Sequence, residues 1–194
     1  MRTLTYVVGV TLDGFVCGPD GSFGFFPLAG DTAKHLLSEL PELVPTHARG
    51  HLGLAPDTPN RRYGTLVQGR GSYEVGLREG VTSPYAHMEQ YVFSTTLATD
   101  TDPAVTVTGA DPVETVRGLK REEDGLDLCL IGGPTLAGAL LPEIDGILLK
   151  RYPVLAGAGR PLFDAEFDPT AFTRVETTAF DSGADFTLFR RAAA

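Results

Sequence analysis

Tryptophan is absent from this sequence, and cysteine and long apolar runs are scarce. Cys17 and Cys129 lie far apart and fit no metal-ligand spacing. Cys129 belongs to the apolar run DLCLIGG, so we expect a buried thiol in a reducing compartment. No apolar run approaches the roughly 20 residues of a membrane span, and the segment before Cys17 is short for a signal peptide. We therefore expect a cytoplasmic protein that contacts no membrane.

Positive charge is also in short supply. The 16 lysines and arginines are outnumbered by 25 aspartates and glutamates, which gives a formal net charge of −9. Nucleic acid demands a surplus of basic side chains, so this balance argues against it as a main partner. A phosphorylated small molecule remains compatible, because a few arginines and backbone N–H groups can hold a phosphate. The four histidines show no convincing ligand spacing, so no metal site is predicted.

The pattern of the chain predicts one α/β domain over residues 1–194. Apolar, β-branched segments alternate with segments of helical spacing, which is typical of a mainly parallel sheet covered on both faces. Strands are predicted at 3–10, 64–69, 90–95, 104–109, 126–133 and 145–155. Asp31 opens a predicted helix that Pro41 breaks, and Pro45–Gly64 is predicted to be an extended surface loop. Two C-terminal strands around an Asp-Ser-Gly turn predict an antiparallel hairpin.

Three predicted strands end in residues that favour a ligand site at the carboxyl edge of the sheet. Gly69-Arg70-Gly71-Ser72 resembles the start of a dinucleotide fingerprint, but Glu74 stands where the third glycine belongs, so a standard Rossmann site is rejected. An arginine beside a helix N-terminus is still a workable phosphate site. The Gly132-Gly133 pair and the 94–96 hydroxyls follow two further strands. Plain turns and helix packing would explain each of these features without a ligand.

Taken in order, five segments resemble the dihydrofolate reductase-like superfamily. They are TLDGFVCGPDGSF (11–23), TLVQGRGSYE (65–74), YVFSTTL (91–97), LCLIGGPTLAGALL (128–141) and DGILLKRYPVLAGAGRPLF (145–163). The closer resemblance is to the bacterial branch that contains the reductase domain of riboflavin biosynthesis, the RibD C-terminal domain. It covers most of the chain outside 40–62. The resemblance implies a three-layer α/β/α fold, a mainly parallel central sheet and an antiparallel C-terminal hairpin.

The resemblance also implies NADPH as the cofactor. Gly69, Arg70 and Ser72 would lie near its phosphates, with Arg70 on the 2′-phosphate. Its adenosine end would lie at Ser94 and Thr95. The residues implied to cradle the pyrophosphate are Gly132, Gly133, Thr135 and Leu136. Leu12, Asp13 and Gly14 of the 11–23 loop would line the nicotinamide and substrate pocket.

The implied reaction is hydride transfer to a small pterin, pyrimidine or carbonyl substrate. Asp31 is the carboxylate placed most like the substrate-binding acid of dihydrofolate reductases, and Asp13 is the second catalytic candidate. Each has a plain alternative, since Asp31 is a good helix cap and Asp13-Gly14 is an ordinary turn pair. Two other functions stay open: a non-catalytic nucleotide-binding protein on the same fold, and a flavin- or deazaflavin-dependent oxidoreductase. Relatives of this kind are commonly dimers, so a homodimer is expected.

Overall fold

The computed structural model describes residues 1–192, and the last two residues of the predicted 1–194 domain lie outside the described part. The strands are β1 (Leu4–Val10), β2 (Phe15–Cys17), β3 (Tyr63–Gly69), β4 (Glu89–Phe93), β5 (Val105–Thr108), β6 (Asp127–Leu130), β7 (Gly146–Arg151), β8 (Arg160–Pro161), β9 (Phe172–Ala179) and β10 (Asp185–Arg191). The helices are α1 (Gly30–Glu39), α2 (Thr46–Arg49), α3 (Arg70–Arg78), α4 (Pro112–Arg121) and α5 (Pro134–Ala139). Each of these elements except β2, β8 and α2 corresponds to a segment whose periodicity predicts it.

Eight strands form the central sheet in the order β5-β4-β3-β6-β1-β7-β10-β9. The first six strands in this spatial order, β5 to β7, run parallel to one another. Parallel neighbours require crossover connections that return the chain to the same edge of the sheet. β10 runs antiparallel to β7 and to β9, so the predicted C-terminal hairpin is confirmed. Its turn holds Gly183 at a φ of 82°, a conformation that glycine adopts without strain.

Both faces of the sheet are covered, which gives three layers. On one face Val7 and Leu148 pack with Leu36 of α1. On the other face Tyr6 packs with Val116 of α4, in a cluster that also includes apolar residues of α5. The predicted fold class, α/β with a dihydrofolate reductase-like sheet, is therefore confirmed. No helix within residues 1–192 is long and apolar enough to cross a membrane.

Two local predictions need correction. The segment 45–64 is not an extended surface loop, since it contains α2 and a 3₁₀ turn, and Arg49 is only 1% exposed. The Arg49 guanidinium donates to the backbone carbonyl oxygens of Pro41 and Thr58, 3.2 and 3.1 Å away, and so ties the segment together. Helix α1, which precedes this segment, begins at Gly30 with Ala29 as its N-cap, so Asp31 lies in the first turn rather than at the cap.

Candidate functional site

The carboxyl ends of the six parallel strands lie side by side along one edge of the sheet. In open parallel sheets this edge is where ligands bind. β3 ends at Gly69, and β6 is followed closely by Gly132 and Gly133. Because β3 and β6 are neighbours, the two glycine-bearing strand ends lie next to each other. Adjacent strands are about 4.8 Å apart, so one small ligand can contact both.

Each of these two strands leads into a helix whose N-terminus is not capped by a side chain. Gly69 is the N-cap of α3 and Gly133 is the N-cap of α5, and neither offers a side-chain acceptor. By contrast, the N-terminus of α4 is closed by Asp111, whose carboxylate accepts from the Glu114 amide at 2.9 Å. The first N–H groups of a helix have no partner within it, and the helix dipole makes that end positive. The N-termini of α3 and α5 therefore form a ready anion-binding pair.

The two helix N-termini are in close contact. A Cβ atom added to Gly132 would lie 2.8 Å from the Ser72 hydroxyl oxygen, and the φ of Gly132 is +59°. A Cβ at Gly69 would lie 3.8 Å from the side chain of Leu136. The peptide bond between Gly132 and Gly133 is cis. The structure thus brings together Gly69, Ser72, Gly132, Gly133 and Leu136, all of which the resemblance assigns to the cofactor phosphates.

A groove of about 680 Å³ continues this site towards the edge of the sheet. Its lining comprises Arg70, Phe93, Ser94, Thr95, Thr96, Thr108, Gly109, Ala110, Asp111 and Pro112. Arg70 Nη1 donates to Thr96 Oγ1 at 3.0 Å, and its Nε lies 3.6 Å from a Glu74 carboxylate oxygen. Both contacts are exposed, so a phosphate can replace them at little cost. Thr96 belongs to the 94–96 hydroxyl run that the sequence offers as a ligand site, although the resemblance assigns roles only to Ser94 and Thr95.

Asp13 does not project freely into a pocket. Its carboxylate accepts from the Thr11 hydroxyl at 2.6 Å and from the backbone amide of Gly157 at 2.7 Å. A further backbone amide, that of Ala156, lies 3.1 Å away. These hydrogen bonds, that from Thr11 first, lower the pKa of Asp13 to about 2. Asp13 therefore clamps the 11–15 turn to the 154–157 segment, and Leu12 reinforces the clamp by donating its amide to the Val154 carbonyl at 2.8 Å.

The clamped turn includes Gly14, whose φ of 86° is in the left-handed region that favours glycine. Just beyond it β2 pairs with β8, so the 11–23 loop and the 152–163 segment form one layered surface above β1. Leu12 is 56% exposed on that surface. The 11–23 loop is thus held in place by contacts more than 140 residues away in the chain.

Asp31 lies at the start of α1, near the hairpin turn between β9 and β10. Its Oδ2 accepts from the Asp181 amide at 2.7 Å, and its Oδ1 accepts from the amide of the adjacent Thr32 at 2.9 Å. One oxygen thus ties the helix to the hairpin, while the other makes only a local contact. Thr135 has a partner too, since its hydroxyl donates to a carboxylate oxygen of Asp164 at 3.1 Å.

Sequence reasoning assigns no role to Lys150, which is the only lysine in an otherwise apolar run, GILLK, at the end of β7. A charged residue near the carboxyl end of a buried strand is the signal that could have identified it. A second cavity, of about 420 Å³, lies at the opposite edge of the sheet and is lined in part by Arg61, Arg62 and Arg190. Within residues 1–192, no three His, Cys, Asp or Glu side chains converge in a way that could hold a metal ion.

The residues present fit a dinucleotide with a charged pyrophosphate. The absence of a Cβ at Gly132 lets Ser72 pack against it, and a Cβ added to Gly133 would meet no atom within 4 Å, so the space beside Gly133 is open to a ligand. The uncapped N–H groups of α3 and α5 supply donors without adding a formal charge. Arg70 supplies a cation in the adjoining groove, where a further phosphate group would find a charge-assisted partner.

Comparison with known proteins identifies the family of the chain and supports its fold. The family described as RibD C-terminal domain matches residues 2–186. A solved protein from Shewanella sp. PV-4, named for riboflavin biosynthesis, is 19% identical with a TM-score of 0.69, and the match covers 100% of both chains. RibD of Acinetobacter baumannii is 16% identical with a TM-score of 0.64, and the match covers 99% of this chain and 58% of that one. No curated protein matches the sequence.

Proposed function

The chain belongs to the family of RibD C-terminal domains, and from this premise we propose that it is an NADPH-dependent reductase of a small pterin, pyrimidine or carbonyl compound. Family membership supports a reductase of this general kind. The observation that carries the assignment to this chain is the pair of uncapped, glycine-led helix N-termini that meet at Ser72 and Gly132. Such a pair of neighbouring helix N-termini suits the two phosphates of a pyrophosphate.

In this proposal the pyrophosphate lies between the first turns of α3 and α5. Backbone N–H groups at the starts of both helices and the Ser72 hydroxyl donate to its oxygens. The adenosine end extends into the groove beside Ser94 and Thr95, where Arg70 exchanges its contacts with Thr96 and Glu74 for the 2′-phosphate. The nicotinamide end then lies over the carboxyl end of β1, beneath the surface that Asp13 clamps.

When bound, NADPH supplies a hydride for a C=N or C=O carbon. The chain's own residues position the reactants and exclude water. Asp13, with a pKa of about 2, carries no proton near neutral pH and acts as a fixed anion that holds the loop. We assign the contact with the substrate to Asp31. Its Oδ2 is bound to a distant segment of the chain, but its Oδ1 accepts only from the amide of the adjacent Thr32.

The test is a calorimetric titration with NADPH and NADH of the wild type, Arg70→Ala and Arg78→Ala. Arg78 lies on the same helix, exposed and at the opposite end, so it is a matched control. A charge-assisted hydrogen bond contributes about 1.5–3 kcal/mol, so Arg70→Ala should weaken NADPH binding roughly 10- to 100-fold. NADH binding and the Arg78→Ala variant should change less than about 3-fold by the same reasoning. Equal losses for NADPH and NADH would contradict the assignment of Arg70.

A further inference from the structure

The cavity of about 420 Å³ lies at the edge of the sheet where the parallel strands begin, away from the proposed cofactor site. Its walls come from the residues that lead into β3 and β6, together with one residue of β10. β3 has seven residues, which span about 20 Å at 3.3 Å per residue, so the cavity and the cofactor site are separate. The lining comprises Arg61, Arg62, Tyr63, Gly125, Leu126, Asp127 and Arg190.

The lining carries an excess of positive charge, although the chain as a whole is acidic. It contains three guanidinium groups and one carboxylate, that of Asp127, in a protein with a net charge of −9. Both oxygens of Asp127 already have partners, since they accept from the amide and the hydroxyl of Thr3, each at 2.7 Å. An entering ligand therefore meets the guanidinium groups, which favour an anion.

The backbone around the cavity is fixed by buried hydrogen bonds. The carboxylate of Glu42, which is fully buried, accepts from the three successive backbone amides of 61–63, at 3.3, 2.8 and 3.1 Å. The Arg62 carbonyl oxygen accepts from the Asp127 amide at 3.0 Å, which joins the two walls. The cavity is thus formed before a ligand arrives, and this lowers the entropic cost of binding.

Arg190 has no carboxylate partner among the described residues. Its side chain is half-buried, and its guanidinium makes one long hydrogen bond there, of 3.5 Å to the Thr5 hydroxyl. Gly146, opposite it in β7, leaves room for this side chain, because a Cβ there would lie 2.9 Å from Arg190 Nη1. Burial raises the pKa of Tyr63 to about 12, and the Thr5 hydroxyl, Arg62 and Arg190 act in the opposite direction. Arg62 and Arg190 therefore both lie near the Tyr63 side chain.

The contacts of the other two guanidinium groups are weak. Arg61 Nη1 donates to the Ser38 carbonyl and lies 3.2 Å from a carboxylate oxygen of Glu39. Arg62 lies 3.5 Å from a carboxylate oxygen of Glu176. The four side chains in these two ion pairs are at least 41% exposed, and exposed pairs contribute little to stability. An anion of higher charge density can therefore displace the glutamates.

Arg2 shows how a structural arginine is bound in the same region. It lies behind Gly125, where an added Cβ would be 3.7 Å from its guanidinium carbon. It is only 6% exposed, and it donates to the Leu126 carbonyl and to the Glu122 carboxylate, both at 2.7 Å. Arg190 has neither kind of contact among residues 1–192, so its guanidinium is available to a ligand.

We propose that this cavity is a second anion-binding site, which takes a small dianion of the phosphate-monoester type through Arg61, Arg62 and Arg190. Two negative charges balance the excess of three guanidinium groups over one carboxylate in the lining. Guanidinium groups bind phosphate oxygens through charge-assisted, often bidentate hydrogen bonds. Leu126 of the lining is 38% exposed and offers an apolar contact to the organic part of the ligand. The site does not depend on the proposed reductase activity, because it shares no residue with the cofactor site.

The test is a titration with phenyl phosphate, followed through the backbone amides by ¹H–¹⁵N NMR at constant ionic strength. The second pKa of a phosphate monoester is about 6, so the probe is a dianion near neutral pH. Benzenesulfonate is its matched monoanion. We expect saturable shifts at 61–63 and 125–127 with phenyl phosphate, and binding of benzenesulfonate that is several-fold weaker.

Three variants identify the groups that bind. Arg190→Gln removes a charge-assisted hydrogen bond and should weaken binding of phenyl phosphate about 10-fold or more. Arg62→Gln changes an exposed side chain and should weaken binding at least about 3-fold by the same reasoning. Arg174→Gln is the matched control, since Arg174 belongs to the same hairpin but is exposed and pairs with Phe189, on the face opposite Arg190. It should change binding less than about 2-fold, because a distant exposed charge is screened.

The positions of the shifts separate this site from the cofactor site. Shifts confined to 70–73 and 133–137 would overturn the second site and leave the proposed cofactor site intact. Shifts at 61–63 and 125–127 that do not saturate, or that weaken equally in Arg190→Gln and Arg174→Gln, would also overturn it, since they indicate general attraction to surface charge. Equal binding of benzenesulfonate would contradict a dianion site. If phenyl phosphate binds as expected but NADPH does not bind, the second site stands and the reductase assignment fails.

Discussion

Replacing Lys150 with methionine removes a half-buried ammonium group that has no counter-ion among the described residues. Methionine keeps the length of the side chain and is compatible with Phe26, Tyr152 and Phe186. Burial lowers the pKa of Lys150 from 10.5 to about 8, which at 1.36 kcal/mol per unit corresponds to a ceiling of about 3 kcal/mol. The folded protein is destabilised by up to that amount whenever the lysine is charged in both states. We therefore expect Lys150→Met to increase the free energy of unfolding at neutral pH.

The pH dependence follows from the sign of the shift. Between pH 8 and 10.5 the unfolded chain binds the lysine proton more tightly than the folded chain does, so wild-type stability rises with pH in this window. The penalty is fully present below pH 8 and absent above pH 10.5. The advantage of Lys150→Met should accordingly be largest at pH 7 and shrink as the pH approaches 10.5.

Urea unfolding followed by circular dichroism at pH 7, 9 and 10.5 measures this difference. At pH 7 the variant's urea midpoint should rise by at most roughly 1–3 M, which is what the ceiling of about 3 kcal/mol corresponds to over the usual range of m-values. Lys34→Met, an exposed lysine on α1, should change stability by less than about 0.5 kcal/mol. A Lys150→Met effect that is constant over this pH range, or a loss of stability at pH 7, would show that burial of the lysine does not destabilise the folded state.

Two further substitutions test other contacts. Gly138→Ala places a Cβ against the backbone carbonyl of Asp164 and should lower the free energy of unfolding by about 1–3 kcal/mol, measured by thermal unfolding. The control Gly118→Ala, with no atom within 4 Å of the added Cβ, should be neutral or stabilising. Equal effects of the two substitutions would contradict the close packing of Gly138 on Asp164. Asp13→Ala removes the clamp on the 154–157 segment, so thermolysin should cut several-fold faster at Leu155, which is 72% exposed. Unchanged cleavage would show that the segment is held by other contacts.

Local patterns in the sequence predict much of the fold. The apolar strand before Gly69 and the one before Gly132 are recognisable because β-branched and apolar runs end on glycine. Asp111 caps α4 and Pro112 is its first residue, a combination that is typical of helix starts and readable in the sequence. Pro41 ends α1 as predicted, since proline cannot continue the helical hydrogen bonding.

What the sequence does not predict depends on contacts between distant residues. The clamp from Asp13 to Gly157 and the tie from Asp31 to Asp181 join positions more than 140 residues apart, so no periodicity encodes them. Arg49 in a proline- and glycine-rich segment resembles a surface residue until the carbonyl groups around it are known. Lys150 differs in kind, because a lone charge in an apolar strand is visible in the sequence but its lack of a partner is visible only in the fold.

The central proposal is that the N-termini of α3 and α5 hold the cofactor, and hydrogen–deuterium exchange with and without NADPH is the measurement that tests it. We expect NADPH to slow exchange in peptides covering 70–73 and 133–137, while the start of α4 at 112–116, which Asp111 already caps, should change little. Protection confined to 61–63 and 125–127, beside the arginine-lined cavity at the opposite edge, would contradict it. Equal exchange in both samples under saturating NADPH would contradict it as well.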